Sequence, residues 1–418
     1  MIRRGEHADR PTVARHATLP TPSAGATLLK FLGIAVAVVT VSAVAVAGFL
    51  AVDVFNRVGD GAVALEGAPE VDPPTLGAYP ADKAFNILVI GTDECGERAT
   101  ALFAERCEEA DGLSRNDVTL LVHVSAAPRN VTVISLPRDL GVPVPECTRE
   151  DGSVASSMWK ASINSVFEHA GLSCVAKTVS ELGDIPIEFA AKISFDGVMA
   201  VTDAIGGVEV CVAGDGIRDR HTGLNLTPGT HTVSGVEALQ FIRTRHGVGD
   251  ESDLARISNQ QQYMSRLAKK VLSEETLTDV PKVLRIANAI ADNIDPSESL
   301  NDPLRLAQLA LALKDVRFSD FAFVQYPNVE DPDDDDKVVP NEAAAEALWT
   351  AVKSGQPLQL TGGVTTHRGV ELVTPAPGTA PETSEPPATA EPEVRTTLPP
   401  DISGQTLEQE TCAVGNQR

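Results

Sequence analysis

The chain has 418 residues and a formal net charge of −24, with 34 Lys and Arg against 58 Asp and Glu. This length allows two or three domains, or one large domain with tails. So acidic a chain repels a polyanion, which argues against a nucleic-acid partner. The 43% of hydrophobic residues is ample material for a core.

The N-terminal segment predicts a membrane anchor. The 22 residues from Phe31 to Val52 carry no charge, and a helix of that length reaches about 33 Å, enough to span a bilayer core. A cleaved signal peptide is the alternative, but its apolar region is usually about 7–15 residues long. Residues 1–30 hold five basic and two acidic side chains, so the positive-inside rule places them in the cytoplasm. We expect a single-pass cell-membrane protein with a transmembrane helix at 31–52 and a large extracellular part.

Six cysteines follow this segment, and an oxidising exterior permits disulfides. Short loops favour two pairs, Cys95–Cys107 and Cys147–Cys174. Cys211 and Cys412 are then open, or paired with each other through a flexible tail. No pair has the C-x-x-C spacing of a zinc site. The alternative is that the cysteines are ordinary buried thiols.

Composition divides the rest of the chain into three parts. Residues 53–84 contain several prolines with Gly and Asp, and predict a linker. Residues 85–355 contain the apolar runs and helical patterns of a folded domain. Residues 356–418 predict a disordered tail, because eight prolines lie between Thr374 and Pro400 and such a composition cannot bury a core.

Strand and helix patterns are mixed within the domain. Predicted strands lie at 85–91, 118–124, 131–136, 187–194, 207–212 and 321–326. Predicted helices lie at 162–170, 173–183, 195–207, 254–273, 278–291 and 303–314, with one more opened by a Ser234–Glu237 capping box and one capped by Asn341. The acidic run at 331–337 predicts a solvated loop, because it lacks the glycine and terminal Glu of a calcium-binding EF-hand. Without a strict βαβ period, the pattern indicates α/β layers with some antiparallel pairing.

Charged side chains lie where the first three strands end. Asp93 follows the first strand, Arg115 and Asp117 precede the second, and Arg138 and Asp139 follow the third. Ligands collect at strand ends and their loops in open α/β sheets. Carboxylates and guanidiniums together there can hold a divalent cation, such as magnesium, and a phosphate. Surface ion pairing is the alternative for any one of them.

A second charged cluster lies at 243–260. Arg243 and Arg245 are two residues apart, so in an extended segment they point the same way. Asp253, Arg256 and Gln260 fall on one face of the predicted long helix. Arginines converging on one place suit phosphate binding, although Asp253 also fits as the N-cap of that helix. No G-x-x-x-x-G-K-[ST] loop or G-x-S-x-G elbow is present, so a nucleotide triphosphatase or a serine hydrolase has little support.

Seven segments follow one another along the chain: NILVIGTDE, SRNDVTLL, SLPRDL, INSVFEHAG, VTDAIGGVEVCV, LNLTPGTHTVSGVEALQFIRTRH and DLARISNQQQ. In sequence and in order they resemble LytR-CpsA-Psr proteins of the actinobacterial branch. The resemblance is close over about 85–275 and weaker to about 355. It implies a three-layer α-β-α fold with a mixed, partly antiparallel central sheet and a long apolar pocket for a polyprenyl chain. It also implies an extracellular phosphotransferase that moves a glycopolymer from a polyprenyl pyrophosphate carrier onto peptidoglycan.

The resemblance implies roles for particular residues. Asp93 and Asp117 would bind Mg²⁺ or Mn²⁺, and the catalytic set would be Asp93, Asp253 and Arg138. The pyrophosphate would be bound by Arg115, Arg138, Arg243, Arg245, Arg256 and Gln260. The sequence departs from the family pattern at three places: Asn116-Asp117-Val118 replaces Ser-Asp-Thr, Asn259 replaces Arg, and Ser162 replaces Lys in the segment that carries Asn164, with Lys160 two residues before it.

Two other functions stay open. A hydrolase acting on the same carrier would use water in place of the sugar hydroxyl. A non-catalytic polyprenyl-phosphate-binding membrane regulator would form no product. The motifs do not distinguish these from transfer. In transfer, a carboxylate such as Asp253 or Asp93 would remove the acceptor proton.

Overall fold

The computed structural model describes residues 61–103, 107, 114–365, 367–373 and 394–416. The chain divides into two units, Met1–Val52 and Asp53–Arg418, and all the described residues belong to the second. Among them, no helix has the length and hydrophobicity needed to span a bilayer. The transmembrane helix expected at 31–52 lies outside the described residues.

The strands of the described residues are distributed between residues 85 and 415. They are β1 Phe85–Thr92, β2 Asn116–Val124, β3 Val131–Leu136, β4 Gly141–Val144, β5 Cys147–Thr148, β6 Val154–Ala155, β7 Met158–Ser162, β8 Phe189–Ile193, β9 Val208–Gly214, β10 Ile217–Asp219, β11 Leu224–Leu226, β12 Gly229–Val233, β13 Ile294–Pro296, β14 Phe321–Gln325, β15 Asn328–Asp331, β16 Asp334–Pro340, β17 Leu358–Gln359, β18 Val370–Leu372, β19 Thr396–Thr397, β20 Gly404–Thr406 and β21 Thr411–Gly415.

The helices lie between these strands. They are α1 Glu97–Leu102, α2 Ile163–Gly183, α3 Phe195–Ala204, α4 Gly235–Arg243, α5 Asp253–Val271, α6 Glu274–Thr278, α7 Val280–Asn293, α8 Pro303–Leu313 and α9 Glu342–Lys353. The two helices predicted at 162–170 and 173–183 are confirmed as the two halves of α2, because Ala170 and Gly171 between them have non-helical backbone angles. Asn341 caps α9, because its side chain accepts a hydrogen bond from the Ala344 N–H.

The central sheet is mixed, as the sequence predicts. Its strand order is β13-β8-β1-β2-β3-β14-β20. The pairs β1–β8 and β3–β14 are parallel, and the remaining neighbours are antiparallel. The parallel pairs need crossover connections, and helices supply them on the faces of the sheet.

Side chains that alternate along the central strands enter two different cores, one on each face of the sheet. On β1, Leu88 and Ile90 belong to a core with α2 and α9. Phe85 lies in the other core, which contains residues of α8 and contacts α5. Helices therefore cover both faces of the sheet, in an α-β-α arrangement.

A second sheet lies beside α4 and α5, with the strand order β12-β9-β21-β18. Its core contains Val208, Val210, Phe241, Tyr263 and Ala413. Strand β21 comes from the C-terminal segment, and it pairs in parallel with β9. The sheet is therefore completed by a strand that lies far beyond β9 in the sequence, after every helix of the described chain.

Three disulfides connect the six cysteines. Cys95–Cys107 and Cys147–Cys174 are the two pairs predicted from short loops, and both are confirmed. Cys211 is bonded to Cys412 across a sequence separation of 201, so these two cysteines are not open. The third disulfide covalently connects strands β9 and β21.

The described part of the predicted linker at 53–84 is packed on the domain. Val63 donates its N–H to the Pro296 carbonyl at 3.1 Å, and Tyr79 is buried beside Phe85 and Phe189. Composition predicts a linker here because prolines and glycines break regular structure. The prediction is wrong for residues 61–84, because partners distant in the sequence hold them against the domain.

The prediction of a disordered tail is also wrong for residues 394–416. Strand β20 forms one edge of the central sheet, and β21 belongs to the second sheet. Leu398, Ile402 and Leu407 are buried in the two cores of the central sheet. Most of the prolines that led to the prediction lie at 374–393, outside the described residues. Composition misled here because a few apolar residues after the proline-rich segment suffice for pairing with existing sheet edges.

Two local expectations also differ from the structure. Ser234 occupies the N-cap of α4, but its side chain makes no capping hydrogen bond. The acidic run at 331–337 is part of the β15–β16 hairpin rather than a loop alone. Within it, the side chain of Asp331 is fully buried and lies 2.5 Å from the Lys160 ammonium. An ion pair with Lys160 on β7, which composition cannot show, explains the ordered acidic hairpin.

Candidate active site

The ends of β1 and β2 bring Asp93 and Arg115 together. Thr92 lies opposite Asn116 in the antiparallel pair, so the residues beyond them are adjacent. The Arg115 N–H donates to Oδ1 of Asp93 at 2.7 Å, and the Asp93 N–H donates to the Arg115 carbonyl at 3.1 Å. The Arg115 guanidinium is largely exposed, and its Nε lies 3.7 Å from Glu168 on α2. The backbone of Arg115 is thus held at the ends of β1 and β2, and its charged group stays accessible.

Arg138 contacts three carboxylates from three parts of the chain. Its Nη1 lies 3.2 Å from Asp117 on β2, and its Nε lies 3.1 Å from the adjacent Asp139. The same Nε is 3.5 Å from Asp253 at the start of α5. Burial alone would lower the pKa of Arg138, but the three carboxylates outweigh it and raise the pKa. The guanidinium is therefore permanently charged.

Asp253 is the most deeply buried of these carboxylates. It is the first residue of α5, and the N-cap is Ser252, whose hydroxyl accepts a hydrogen bond from the Ala255 N–H. The N-cap alternative for Asp253 is therefore wrong. Its Oδ1 is 2.5 Å from Nη2 of Arg256, yet within the described residues neither oxygen accepts a geometrically aligned hydrogen bond. Burial raises the pKa of Asp253, outweighing the opposite effects of Arg256 and Arg138.

Arg243 ends helix α4, so it does not share an extended segment with Arg245 as the spacing suggested. Its guanidinium carbon lies 4.5 Å from the centre of the Phe195 ring and 5.6 Å from that of Phe103. Both distances are within the range of a cation–π interaction. The charged group of Arg243 is therefore stacked against aromatic rings beside the end of α4.

Side-chain amides of α5 hold this end of α4 in place. Asn259 donates to the Phe241 carbonyl at 2.8 Å, and Gln260 donates to the Ile242 carbonyl at 2.9 Å. These carbonyls belong to the last turn of α4, where the helix itself offers no donors. Gln260 thus positions the segment that carries Arg243 and Arg245. Asn259, which departs from the family pattern, makes an equivalent contact with the same turn of α4.

The backbone after α4 is anchored by Asp219 of β10. Its Oδ2 accepts a hydrogen bond from the Thr244 hydroxyl at 2.6 Å and from the Arg245 N–H at 3.2 Å. Burial opposes ionisation of Asp219, but these hydrogen bonds outweigh it and lower its pKa. Among the described residues, Nε of Arg245 is buried without a hydrogen-bond partner. Arg245 is therefore held by its backbone while its side-chain donor stays unsatisfied.

A small apolar cavity of about 50 Å³ lies between the central sheet and helix α5. Its walls are formed by side chains of β2, β3, β14, α4 and α5: Val118, Leu120, Val133, Ser135, Ile242, Gln260, Gln261, Met264 and Phe323. It lies next to the charged network, because Val118 follows Asp117 and Gln260 is one turn from Arg256. Ligand pockets usually measure about 300–1,000 Å³, so a long chain would enter this cavity only if α5 and the sheet moved apart.

A larger, open pocket of about 550 Å³ also has Asp93 in its lining. Its lining is acidic, with Glu94, Asp196, Asp292 and Asp295 beside Asp93 and the Cys95–Cys107 disulfide. Because carboxylates repel a phosphate, the arginines of the charged network suit a pyrophosphate better than this pocket does.

The structure unites part of the predicted site. Asp117, Arg138, Asp253 and Arg256 form one network of ion pairs. Asp93 and Arg115 contact each other at the neighbouring strand ends. The segment with Arg243 and Arg245 is held separately, by aromatic rings and by Asp219. The roles of all these residues in binding or catalysis stay predictions.

Three acidic residues contact the predicted site but were not among its predicted members. Asp139 directly follows Arg138, and the sequence placed it among the charged residues at the strand ends but assigned it no role. Glu168 lies within the segment INSVFEHAG, where nothing in the local pattern indicates a contact with Arg115. Asp219 is brought to Thr244 only by the pairing of β10 with β11 and the packing of α4.

The two predicted ligands of a divalent cation are of a suitable chemical type but too few to hold the ion alone. Asp93 and Asp117 supply carboxylate oxygens at the ends of paired strands, which is the ligand type that magnesium prefers. Across the described parts of the chain, no group of three or more His, Cys, Asp or Glu side chains is placed to hold a metal ion. Magnesium usually takes one or two carboxylates and completes its shell with waters and substrate phosphates. Two carboxylates are therefore compatible with a magnesium ion that arrives with a phosphate.

Comparison with known proteins gives one family. The profile of the LytR_cpsA_psr family matches residues 58–354. The chain is 26% identical over 303 residues to the cell wall biosynthesis protein LcpA of Corynebacterium glutamicum, covering 67% of this chain and 56% of that protein. The chain thus spans little more than half the length of this relative.

Two further similarities concern TagT. The chain is 26% identical over 242 residues to the polyisoprenyl-teichoic acid–peptidoglycan teichoic acid transferase TagT of Bacillus subtilis, covering 57% of this chain and 67% of that protein. A solved structure of TagT bound to LIIa-WTA superposes with a TM-score of 0.50 at 21% identity, covering 70% of this chain and 98% of that one. At this identity the structural similarity concerns the fold alone.

Proposed function

The chain belongs to the LytR-CpsA-Psr family, and on that premise we propose that it transfers a glycopolymer from a polyprenyl pyrophosphate carrier to a sugar hydroxyl of peptidoglycan. One observation carries the proposal. Buried guanidinium nitrogens of Arg245 and Arg256 and both carboxylate oxygens of Asp253 make no aligned hydrogen bond within the described residues. Unsatisfied buried donors and acceptors cost stability, and a substrate with an anionic phosphate and a hydroxyl would satisfy both kinds.

The reaction forms one phosphodiester and breaks one phosphoanhydride. The acceptor hydroxyl oxygen attacks the phosphorus that carries the glycopolymer, and a new P–O bond forms. The bond from that phosphorus to the bridging oxygen breaks, and its electron pair leaves with the polyprenyl phosphate. The hydroxyl proton goes to a carboxylate and then to solvent. No nucleotide is needed, because the energy is stored in the donor pyrophosphate.

We assign the charged groups by what each can do. Arg138, Arg245 and Arg256 bind the pyrophosphate and stabilise the charge that develops on the leaving phosphate. Asp253 accepts the proton of the acceptor hydroxyl, because its raised pKa brings its basicity closer to neutral pH. Arg115, whose guanidinium is accessible, binds the donor from the side of β1 and β2. Arg243, at the end of α4, completes the pyrophosphate set, and Gln260 on α5 holds that end of α4 in place.

The remaining parts of the proposal concern the metal, the lipid and the membrane. Asp93 and Asp117 would hold a magnesium or manganese ion, which neutralises phosphate charge when bound. The polyprenyl chain would occupy the space between the central sheet and α5, where the apolar cavity now lies. Residues 31–52 would anchor the chain in the cell membrane with the domain outside. The acidic composition beyond that segment and the three disulfides support an extracellular site.

The test uses the full chain in detergent with a synthetic polyprenyl pyrophosphate glycan, with and without a muropeptide acceptor. Transfer predicts a phosphodiester-linked product that requires the acceptor. Release of glycan phosphate without acceptor at the same rate would instead indicate a hydrolase. Binding of the donor with no product would indicate a regulator.

The matched comparison sets Asp253→Asn against Arg285→Ala, a change at an exposed arginine on α7. We expect Asp253→Asn to lose transfer and Arg285→Ala to keep it. Equal activity of the two variants would contradict the assignment of Asp253.

A further inference from the structure

A wide groove lies on the α2–α9 side of the central sheet. Its volume is about 1000 Å³, and its walls come from β4, β7, the end of α2 and helix α9. Trp159 and Trp349, the two tryptophans of the chain, both line it, together with Tyr326, one of three tyrosines. Aromatic residues are only 4% of the sequence, and three of them line this one groove.

The two tryptophans play different parts in the groove. Trp159 on β7 is 81% exposed, which is unusual for so large an apolar side chain. The Lys160 ammonium lies 5.7 Å from its ring centre, and that ammonium is itself held by Asp331 and Asp333. Trp349 is buried. Trp159 therefore has a largely exposed ring on the groove wall, whereas Trp349 is packed into the protein at the groove.

The groove also offers hydrogen-bond acceptors. Glu181, Glu342 and Glu346 line it with exposed side chains, and these carboxylates form no hydrogen bond or ion pair with the described residues. The two lysines of the groove, Lys160 and Lys353, are already paired with aspartates. Unpaired carboxylates repel a polyanion and accept hydrogen bonds from hydroxyl or amide groups. The chemistry suits an uncharged, hydroxyl-rich ligand.

Backbone pairing links the wall of the groove to the segment that carries Arg138. Strand β7 pairs with β4, so that Ser162 lies opposite Gly141. The Asn164 N–H, two residues further on, donates to the Arg138 carbonyl at 3.1 Å. Trp159 is three residues before Ser162, or about 10 Å along a strand. Strand β7 therefore connects the groove wall at Trp159 with the backbone of Arg138, a member of the candidate site.

From these observations we infer that the groove binds the acceptor through the uncharged sugar rings of a glycan strand, which carry hydroxyl and N-acetyl groups. The C–H face of a pyranose ring packs on the Trp159 ring, while its hydroxyls donate to the unpaired glutamates. This inference rests on the proposed function, because it assigns the acceptor to one side of the same site. The anionic donor is excluded from the groove by the carboxylates.

The probe is a soluble hexamer of β-1,4-linked N-acetylglucosamine, titrated into the full chain in detergent. In a Trp349→Phe background, Trp159 is the sole tryptophan, so its fluorescence reports the groove directly. We expect a saturable change in that emission. Calorimetric titration of Trp159→Ala should show at least tenfold weaker binding, with Trp159→Phe keeping most of the affinity. Leu76→Ala, a change at another highly exposed apolar residue, is the matched control and should bind as the unaltered chain does.

The transfer assay separates this inference from the proposed function. Trp159→Ala should raise the KM for the acceptor and leave donor binding unchanged. The hexamer titration does not need transfer, so it tests the groove even if the chain proves not to be a transferase. Equal hexamer affinity in Trp159→Ala and the unaltered chain would overturn the inference. Weaker donor binding in Trp159→Ala with acceptor KM unchanged would overturn it as well.

Discussion

At the scale of single residues, the candidate site concentrates opposite charges that only partly satisfy one another. Arg138 contacts three carboxylates, yet within the described residues Asp253 and Arg256 retain buried atoms without aligned hydrogen bonds. An ion-pair cluster built only for stability would satisfy these atoms, because unsatisfied buried groups are costly. The arrangement therefore favours a site that a ligand completes.

Replacing Arg256 tests phosphate binding. Each charge-assisted hydrogen bond contributes about 1.5–3 kcal/mol, so Arg256→Ala should lower kcat/KM for transfer about tenfold to a few hundredfold. Arg256→Lys should restore it only in part, because an ammonium lacks the planar fork of a guanidinium. Arg285→Ala serves as the control. Full transfer activity in Arg256→Ala, measured on folded protein, would exclude a phosphate contact at this residue.

The pH dependence of transfer tests Asp253 as the base. Burial raises its pKa, and the base acts only when ionised. The acidic limb of the kcat/KM profile should therefore lie above the ordinary range of an aspartate. The nearby Arg256 lowers this pKa, so Arg256→Ala should move the limb to still higher pH. A limb that does not move in Arg256→Ala would contradict the assignment.

The raised pKa of Asp253 also predicts that replacing this residue increases thermal stability while it removes activity. Because the pKa of Asp253 is higher in the folded state than in the unfolded state, folding favours its protonated form. The contribution of Asp253 to the free energy of unfolding is therefore fully present below the unfolded-state pKa and is lost as the pH rises through the folded-state pKa. Asp253→Asn should thus gain thermal stability relative to the unaltered chain as pH rises toward neutral, while transfer is lost. Melting curves across that pH range provide the measurement. A Tm difference independent of pH would show that Asp253 does not titrate in this way.

At the scale of elements, helix α5 connects the charged network to the apolar cavity. Its first turn carries Asp253 and Arg256, and further along Met264 lines the cavity beneath the central sheet. The helical pattern at 254–273 predicted this element well, since it spans Asp253–Val271. The helical pattern does not predict the N-cap of α5 or the contacts that α5 makes with α4. The cavity forms only once the helix is packed on the sheet.

Filling the cavity tests whether it admits a lipid chain. Met264→Trp adds volume between α5 and the sheet, at a cost of about 1–3 kcal/mol of stability. We expect transfer from a long polyprenyl carrier to fall and transfer from a short-chain analogue to persist. Met264→Leu, which nearly conserves volume, should leave both reactions intact. Equal losses with long and short carriers would place the lipid elsewhere.

At the scale of the whole molecule, the C-terminal segment closes the fold. Residues 394–416 supply β20 to the central sheet and β21 to the second sheet, and Cys412 is bonded to Cys211. A chain shortened to end near residue 355 would lose these strands and leave Cys211 without its partner. Removal of the segment therefore exposes sheet edges and buried apolar surface.

Cys412→Ser tests this closure. A sequence separation of 201 residues between the bonded cysteines gives a stabilisation of about 5 kcal/mol on the chain-entropy model. We expect a clearly lower Tm in Cys412→Ser, measured without reductant, and a smaller loss in Cys107→Ser because its loop is short. An unchanged Tm in Cys412→Ser would show that the segment is held by its strands alone.

The sequence by itself determined the α/β class, the main strands and helices, two of the three disulfides and the family. These rest on local signals: periodic apolar residues, short loops between cysteines and motifs read in order along the chain. Only the tertiary structure decided that residues 61–84 and 394–416 belong to the domain, that Asp219 anchors Thr244, and that both tryptophans share a groove. The physical reason is that these features depend on contacts between residues far apart in sequence, whose partners are set by packing and strand pairing rather than by local composition.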